Sequence, residues 1–219
     1  MTSEPLPEQR ESRASETRRL EAFSDGVLAV AITFLAFNLP DLHPDPKLGS
    51  LAHQLYLHWP AGAAYLVSFL TIGIIWVNHH SVFAGLVRVD RTLLFLNLAL
   101  LAFVVLIPFA TMTLAGYLRE RGADAHLAAA LYGIVLEAMS LCFAGIFEWS
   151  MRKGHTRDRL PPEVQRNVRL RFGIGNAFYL LAIGLSFFSA PLALAIYGAV
   201  AVYYVFEHTQ PNQPVPSVD

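Results

Sequence analysis

The sequence predicts an all-α, polytopic membrane protein with six transmembrane helices per subunit. Three observations carry that reading. The 219-residue chain is 54% hydrophobic and only 15% charged, whereas a water-soluble domain carries about 25% charge. Its apolar residues gather into six stretches, close to the roughly 20 residues that cross about 30 Å of hydrocarbon. Its basic residues fall on alternate connections between those stretches, the pattern that orients helices in a bilayer. A net charge of −1 excludes the broad basic field of a nucleic-acid binder. A single cysteine, Cys142, excludes an internal disulfide and the multi-cysteine zinc and iron–sulfur patterns.

The first 19 residues alternate glutamate with arginine and lack the apolar run of a secretory signal. They read as a charged cytoplasmic lead-in, partly helical near Arg18, to a six-span domain over 20–207. The spans are expected over 20–40, 60–83, 92–116, 125–150, 168–188 and 190–206. Turn and charge signals separate them at 40–46, 88–91, 119–124 and 151–169. The last break is only Ser189-Ala190-Pro191, which predicts a tight helical hairpin. The segment 208–219 carries three prolines and reads as a disordered cytoplasmic tail. With the N-terminus inside, 13 of the 16 lysines and arginines lie on inner segments; Lys47, Arg119 and Arg121 remain outside. That bias predicts both termini in the cytoplasm.

In a membrane chain the informative residues are polar ones at depth, because a charge there costs at least a few kcal/mol. From Gly26 to Leu39 is 14 residues, roughly 21 Å of helix and too short to span. Phe23, Ser24 and Asp25 are therefore expected at or within the inner boundary. The alternative, Ser24 or Asp25 capping a helix that starts at Gly26, leaves the span short. The second span carries Trp76-Val77-Asn78-His79-His80 near its inner end. Adjacent residues on a helix point about 100° apart, so the two histidines cannot chelate one metal from one face. The expectation is instead that His79 or His80 meets Ser24 or Asp25 at the same depth.

Asn97, Glu137 and Asn176 are the remaining buried-looking polar groups. Glu137 reads either as a neutral, hydrogen-bonded acid between helices or as a proton site. Gly133, Ala138, Gly145, Gly173, Gly175 and Gly184 predict close helix packing, and Pro108 predicts a kink in the third span. Ser68, Ser81, Ser140 and Ser186 have no base at a recognisable spacing and read as packing hydroxyls.

Three motifs in order carry a resemblance. Arg19-x-x-x-Phe23-Ser24-Asp25-Gly26 opens the first apolar helix, and Trp76-x-Asn78-His79-His80-x-x-Phe83 lies on the second. Leu96-Asn97-Leu98 followed by Pro108-Phe109-x-Thr111 lies on the third. Together, over roughly residues 18–206, they resemble the transmembrane protein 175 potassium channel family. Human members sit in endosomes and lysosomes, and bacterial members carry one six-span repeat. The animal proteins carry two repeats and assemble as dimers; this chain holds one Phe-Ser-Asp.

The resemblance implies a homotetramer in a bacterial inner membrane, with the first helix of each subunit lining a central pore. Gly26, Val30, Thr33 or Phe34, and Phe37 recur at steps of three and four, which is one stripe of a helix. By itself such a stripe reads as ordinary lipid- or core-facing packing. The resemblance places Val30 at the family's apolar constriction and Thr33 at its threonine. Phe34 and Phe37 stand where leucine is more usual, and Asn38 where an acid is common. It also implies that Arg19, Phe23, Ser24 and Asp25, with Trp76, Asn78, His79 and His80, hold the inner end of that helix. The sequence contains no Thr-Val-Gly-Tyr-Gly filter.

The expected partners are potassium, with other monovalent cations and protons left open, the lipid bilayer, and further copies of the chain. No cofactor, resident metal or enzymatic activity is expected. Two alternatives remain. One is a proton-coupled transporter using Glu137 and the histidines as a relay, although residues 20–116 and 125–206 share no internal similarity. The other is a membrane haem or metal enzyme using His79 and His80.

Overall fold

A computed structural model describes residues 7–44, 46–120, 122–156 and 160–207. The proline-bearing segment 208–219 lies outside them. The described residues form α1 (Pro7–Leu35), a 3-10 turn (Ala36–Asn38), a second such turn (Pro46–Leu48), α2 (Leu51–Leu57), α3 (Trp59–Ala84), α4 (Arg91–Tyr117), α5 (Ala123–Lys153), α6 (Pro162–Ser186) and α7 (Ala190–Glu207). The architecture is all-helical. Five segments are long and apolar enough to cross a membrane: Ser15–Asn38, Trp59–Ala84, Arg91–Tyr117, Ala123–Lys153 and Pro162–Ser186. They coincide with the first five expected spans. The sixth falls on a shorter apolar helix, Ala190–Phe206, whose 17 residues rise roughly 25 Å.

Local chemistry explains most of the boundaries. Asp90 caps α4, its carboxylate accepting from the Leu93 N–H at 2.8 Å. The α5 helix carries Arg152 and Lys153 in its last turn, where cations suit the helix dipole, and stops at Gly154 with φ +63°. Proline opens both α3 and α6 within the first two positions, where its missing N–H costs nothing. The hairpin between α6 and α7 is as tight as its spacing predicts: Phe188 and Ser189 both donate to the Leu185 carbonyl at 3.0 Å. From Pro7 onward the charged lead-in is helical, since α1 runs unbroken into the apolar stretch. The short α2, capped by Ser50, occupies the connection before α3, where no element was expected.

α4 and α5 form the centre of the bundle. On one flank α1 packs against α3 and α4; on the other, α6 packs against α5 and α7, and α7 returns to α3. Two glycines set how closely these helices approach. A Cβ at Gly133 of α5 would lie 2.0 Å from the Tyr197 hydroxyl, and one at Gly175 of α6 would lie 2.1 Å from that of Tyr204. The close packing expected of the small residues thus holds at these two positions. Gly173 and Gly184 face open space instead. At Pro108, α4 continues as one helix from Arg91 to Tyr117.

Candidate functional site

The two faces of α1 have opposite character. Ser24, Leu28, Ala31 and Leu35 are fully buried against α3 and α4. On the far side Phe23, Val30, Phe34 and Phe37 are half or more exposed, Phe37 at 78%. Gly26 and Thr33 are exposed as well, and the Thr33 hydroxyl turns back to the Ala29 carbonyl at 2.8 Å. An apolar face this bare has no stable place in water, and it leaves α1 free to meet lipid, another subunit or a narrow passage.

The buried face is held by a directed chain of hydrogen bonds. His79 Nε2 stands 2.9 Å from Asn97 Oδ1, the Asn97 amide donates to Ser24 Oγ at 2.9 Å, and Ser24 donates to the Leu20 carbonyl at 2.9 Å. Because Asn97 Oδ1 can only accept, His79 must carry its proton on Nε2 for the chain to run in one sense. His79 is fully buried and stacks on Phe83, ring centroids 3.8 Å apart. Its other nitrogen, Nδ1, meets no partner among the described residues. As a bare acceptor it is less costly there than an orphaned N–H would be.

Beside this chain lie two rungs between α1 and α3. Trp76 Nε1 donates to Asp25 at 3.1 Å, and His80 Nδ1 meets Glu21 at 2.8 Å. Glu21 and Asp25 are one turn apart on α1, as Trp76 and His80 are on α3, so two helices lying side by side bring both pairs together. At the far end of α1 the Asn38 amide donates to the Pro108 carbonyl of α4 at 2.9 Å.

The expected direct meeting of a histidine with Ser24 or Asp25 is replaced by these partners. His79 points toward α4, so Asn97 stands between it and Ser24; His80, turned about 100° away, reaches Glu21. Asn78 points to the opposite side of α3 and lines a cavity of about 30 Å³ with Thr71, Ser140 and Tyr179. Arg19 and Phe23 are exposed on α1 and join neither rung. Glu21 escaped the sequence reading, although its place one turn before Asp25 was a usable signal.

Other polar groups tie the bundle elsewhere. Ser68 bonds both Thr111 at 2.7 Å and Tyr132 at 2.8 Å, a buried hydroxyl cluster joining α3, α4 and α5. Ser140 donates to Asn176 at 2.6 Å. Glu137 is buried, with Oε2 unpartnered among the described residues. Glu148 of α5 binds Arg152 and, through two bonds of 2.8 and 3.0 Å, Arg169 of α6.

Asp90 clasps the connection between α3 and α4 to the end of α5. Besides capping α4, it accepts from Trp149 Nε1 at 3.0 Å and lies 3.7 Å from His155 Nε2, while Val87 N–H donates to the His155 carbonyl at 2.8 Å. Desolvation alone would raise the carboxyl, but the bonds from Leu93 and Trp149 and the nearby His155 outweigh it and hold Asp90 below its ordinary value. A depressed folded-state value means that this stabilisation is complete above the ordinary carboxylate range and is lost as pH falls through the lower, folded value. Thermal stability should therefore drop below about pH 4. Asp90→Ala should cost about 0.5–2 kcal/mol at neutral pH through the cap alone and flatten that acid limb. Melting curves of the two proteins across pH test this; parallel curves would remove Asp90 from the acid response.

These features define a class: a multi-pass helical membrane protein whose first helix is pinned along one face and bare along the other. Within it, a family model described as the endosomal/lysosomal potassium channel TMEM175 matches residues 19–108, the stretch holding both rungs and the hydrogen-bonded chain. A potassium channel of Streptomyces collinus is 48% identical over 204 residues, covering 93% of this chain and 96% of that protein. A potassium channel of Chamaesiphon minutus is 34% identical over 196 residues, covering 87% and 94%. The crystal structure of a lysosomal potassium-selective channel TMEM175 homolog from Chamaesiphon minutus superposes with a TM-score of 0.77 at 33% identity, over 89% of this chain and 99% of that one. The chain belongs to the TMEM175 family.

Proposed function

We propose that the protein is a potassium-permeable cation channel, a homotetramer of six-span subunits with both termini cytoplasmic and α1 lining a central pore. The observation that carries this reading is the asymmetry of α1: one face is buried and hydrogen-bonded, while the other presents Val30, Phe34 and Phe37 with nothing among the described residues to cover them. Relatives named as potassium channels over nearly their whole length support the choice of ion.

An apolar ring passes ions only when wide enough to stay wet, and otherwise closes by losing its water. Val30 supplies the narrow ring in this scheme, Phe34 and Phe37 line the passage beyond it, and Thr33 lies beside them. Ser24, Asp25, Trp76, His79 and His80 hold the inner end of α1, with Glu21 and Asn97 added by the geometry. Rotation of α1 against that anchor changes the radius. Asn38, bonded to Pro108, braces the outer end rather than offering a cation site at the mouth. In this reading the membrane is the cell membrane of a bacterium.

The test is a flux assay in proteoliposomes containing the purified full-length chain, with sodium as comparator. Potassium uptake above that of empty vesicles is expected. A protein inert to both cations across voltage and pH would overturn the channel reading.

A further inference from the structure

On the flank away from α1, α6 and α7 leave a groove of about 270 Å³ between them. Ile174, Phe178 and Leu181 of α6 line one wall, and Ile196, Ala199 and Tyr203 of α7 line the other. Arg171 lies three residues before Ile174 and seven before Phe178, so it continues the same face of α6 one turn toward the charged end. It is exposed there. The backbone at that point is held in place: Tyr204 Oη donates to the Arg171 carbonyl at 2.9 Å. Glycine at 175 makes room for this contact, since a Cβ there would lie 2.1 Å from the same hydroxyl and Tyr204 would have to move. Phe206, 70% exposed, and Tyr203 sit at this end of α7, aromatic residues of the kind enriched where hydrocarbon meets headgroups.

An apolar trench in a bilayer is filled by hydrocarbon rather than by water. A single acyl chain suits its width, and a guanidinium at one end suits a phosphate. We propose that the α6–α7 groove binds an anionic phospholipid, with one acyl chain along Ile174, Phe178 and Leu181 and its phosphate at Arg171. This rests on the chain lying in a bilayer and not on potassium conduction.

The purified full-length protein, delipidated and titrated with phosphatidylglycerol or phosphatidylcholine, provides the test, with bound lipid counted by native mass spectrometry and folding checked by melting temperature. Wild type should prefer phosphatidylglycerol. Arg171→Gln should weaken that binding about five-fold and leave phosphatidylcholine unchanged, and Arg171→Lys should restore part of it. Ala199→Trp, which fills the groove, should reduce both lipids. Arg91→Gln, another arginine at a helix end but remote from the groove, should change neither.

Equal binding of the two lipids would overturn the proposal. So would an equal loss in Arg171→Gln and Arg91→Gln, or a groove-filling variant that keeps its lipid while altering the oligomer. Lipid binding that persists in a protein without potassium flux would defeat the channel reading alone.

Discussion

Val30→Ala is expected to raise the single-channel potassium current about five-fold, the change that a barrier lowered by about 1 kcal/mol produces. Val30 is half-exposed on the bare face of α1, so truncation leaves no cavity in the subunit core and folding should be little affected. A β-branched side chain on a helix holds one χ1 well, so a ring of valines has a defined width, and removing two methyl groups from each widens it. Phe34 and Phe37 lean on each other along the helix, ring centroids 6.0 Å apart, which draws their bulk together beyond Val30. Thr33→Val should matter less, because the Thr33 hydroxyl is already satisfied by its own helix. Planar-bilayer recordings separate the two variants. An unchanged current in Val30→Ala removes that residue from the constriction.

Asn97→Leu is expected to be the most damaging substitution at the anchor, costing about 2–4 kcal/mol. Leucine repeats the branched heavy-atom shape of asparagine with bulkier ends, so no cavity opens and the main loss is of hydrogen bonds. What goes is the one group that both accepts from His79 and donates to Ser24. His79 would then keep a buried N–H with no acceptor, in a residue with 0% exposure, and an unmade buried bond costs the full desolvation of the group. The melting temperature in detergent should fall by about 5–15 °C. Asp25→Asn provides the contrast: Trp76, 46% exposed, would still find an amide oxygen, so its effect should stay below about 1 kcal/mol. A variant pair with equal melting temperatures would show that Asn97 does not bear the anchor.

Much of the fold was legible because its signals are local. Apolar runs mark the helices, and Asp90, Gly154 and the prolines of α3 and α6 mark their ends. Spacing also announced a tight hairpin, expected at 189–191 and found at 187–189. The short α2 was missed because seven residues with a mixed polar pattern carry no period long enough to read. At the candidate site, the depth of Ser24, Asp25, His79 and Asn97 could be judged from helix length and position, but their pairing could not. Asn78 shows why: it shares a motif with His79 and His80, yet one residue turns a helix by about 100°, which carries its side chain to the cavity beside Ser140.

From residue order alone it follows that this chain is a bundle of apolar helices, that its first helix carries an apolar stripe, and that a few polar groups lie at depth. Hydropathy and the 3.6-residue period are properties of a chain segment, so they can be read without knowing its neighbours. Which polar groups meet emerges from packing: Asn97 between His79 and Ser24, Glu21 with His80, and Asn38 on Pro108. Those pairings join residues from 18 to 73 positions apart. They depend on how each helix is rotated against the next, which side-chain fit sets at places such as Gly133 beneath Tyr197. The same rotations bury one face of α1 and leave the other, with Val30, Phe34 and Phe37, uncovered.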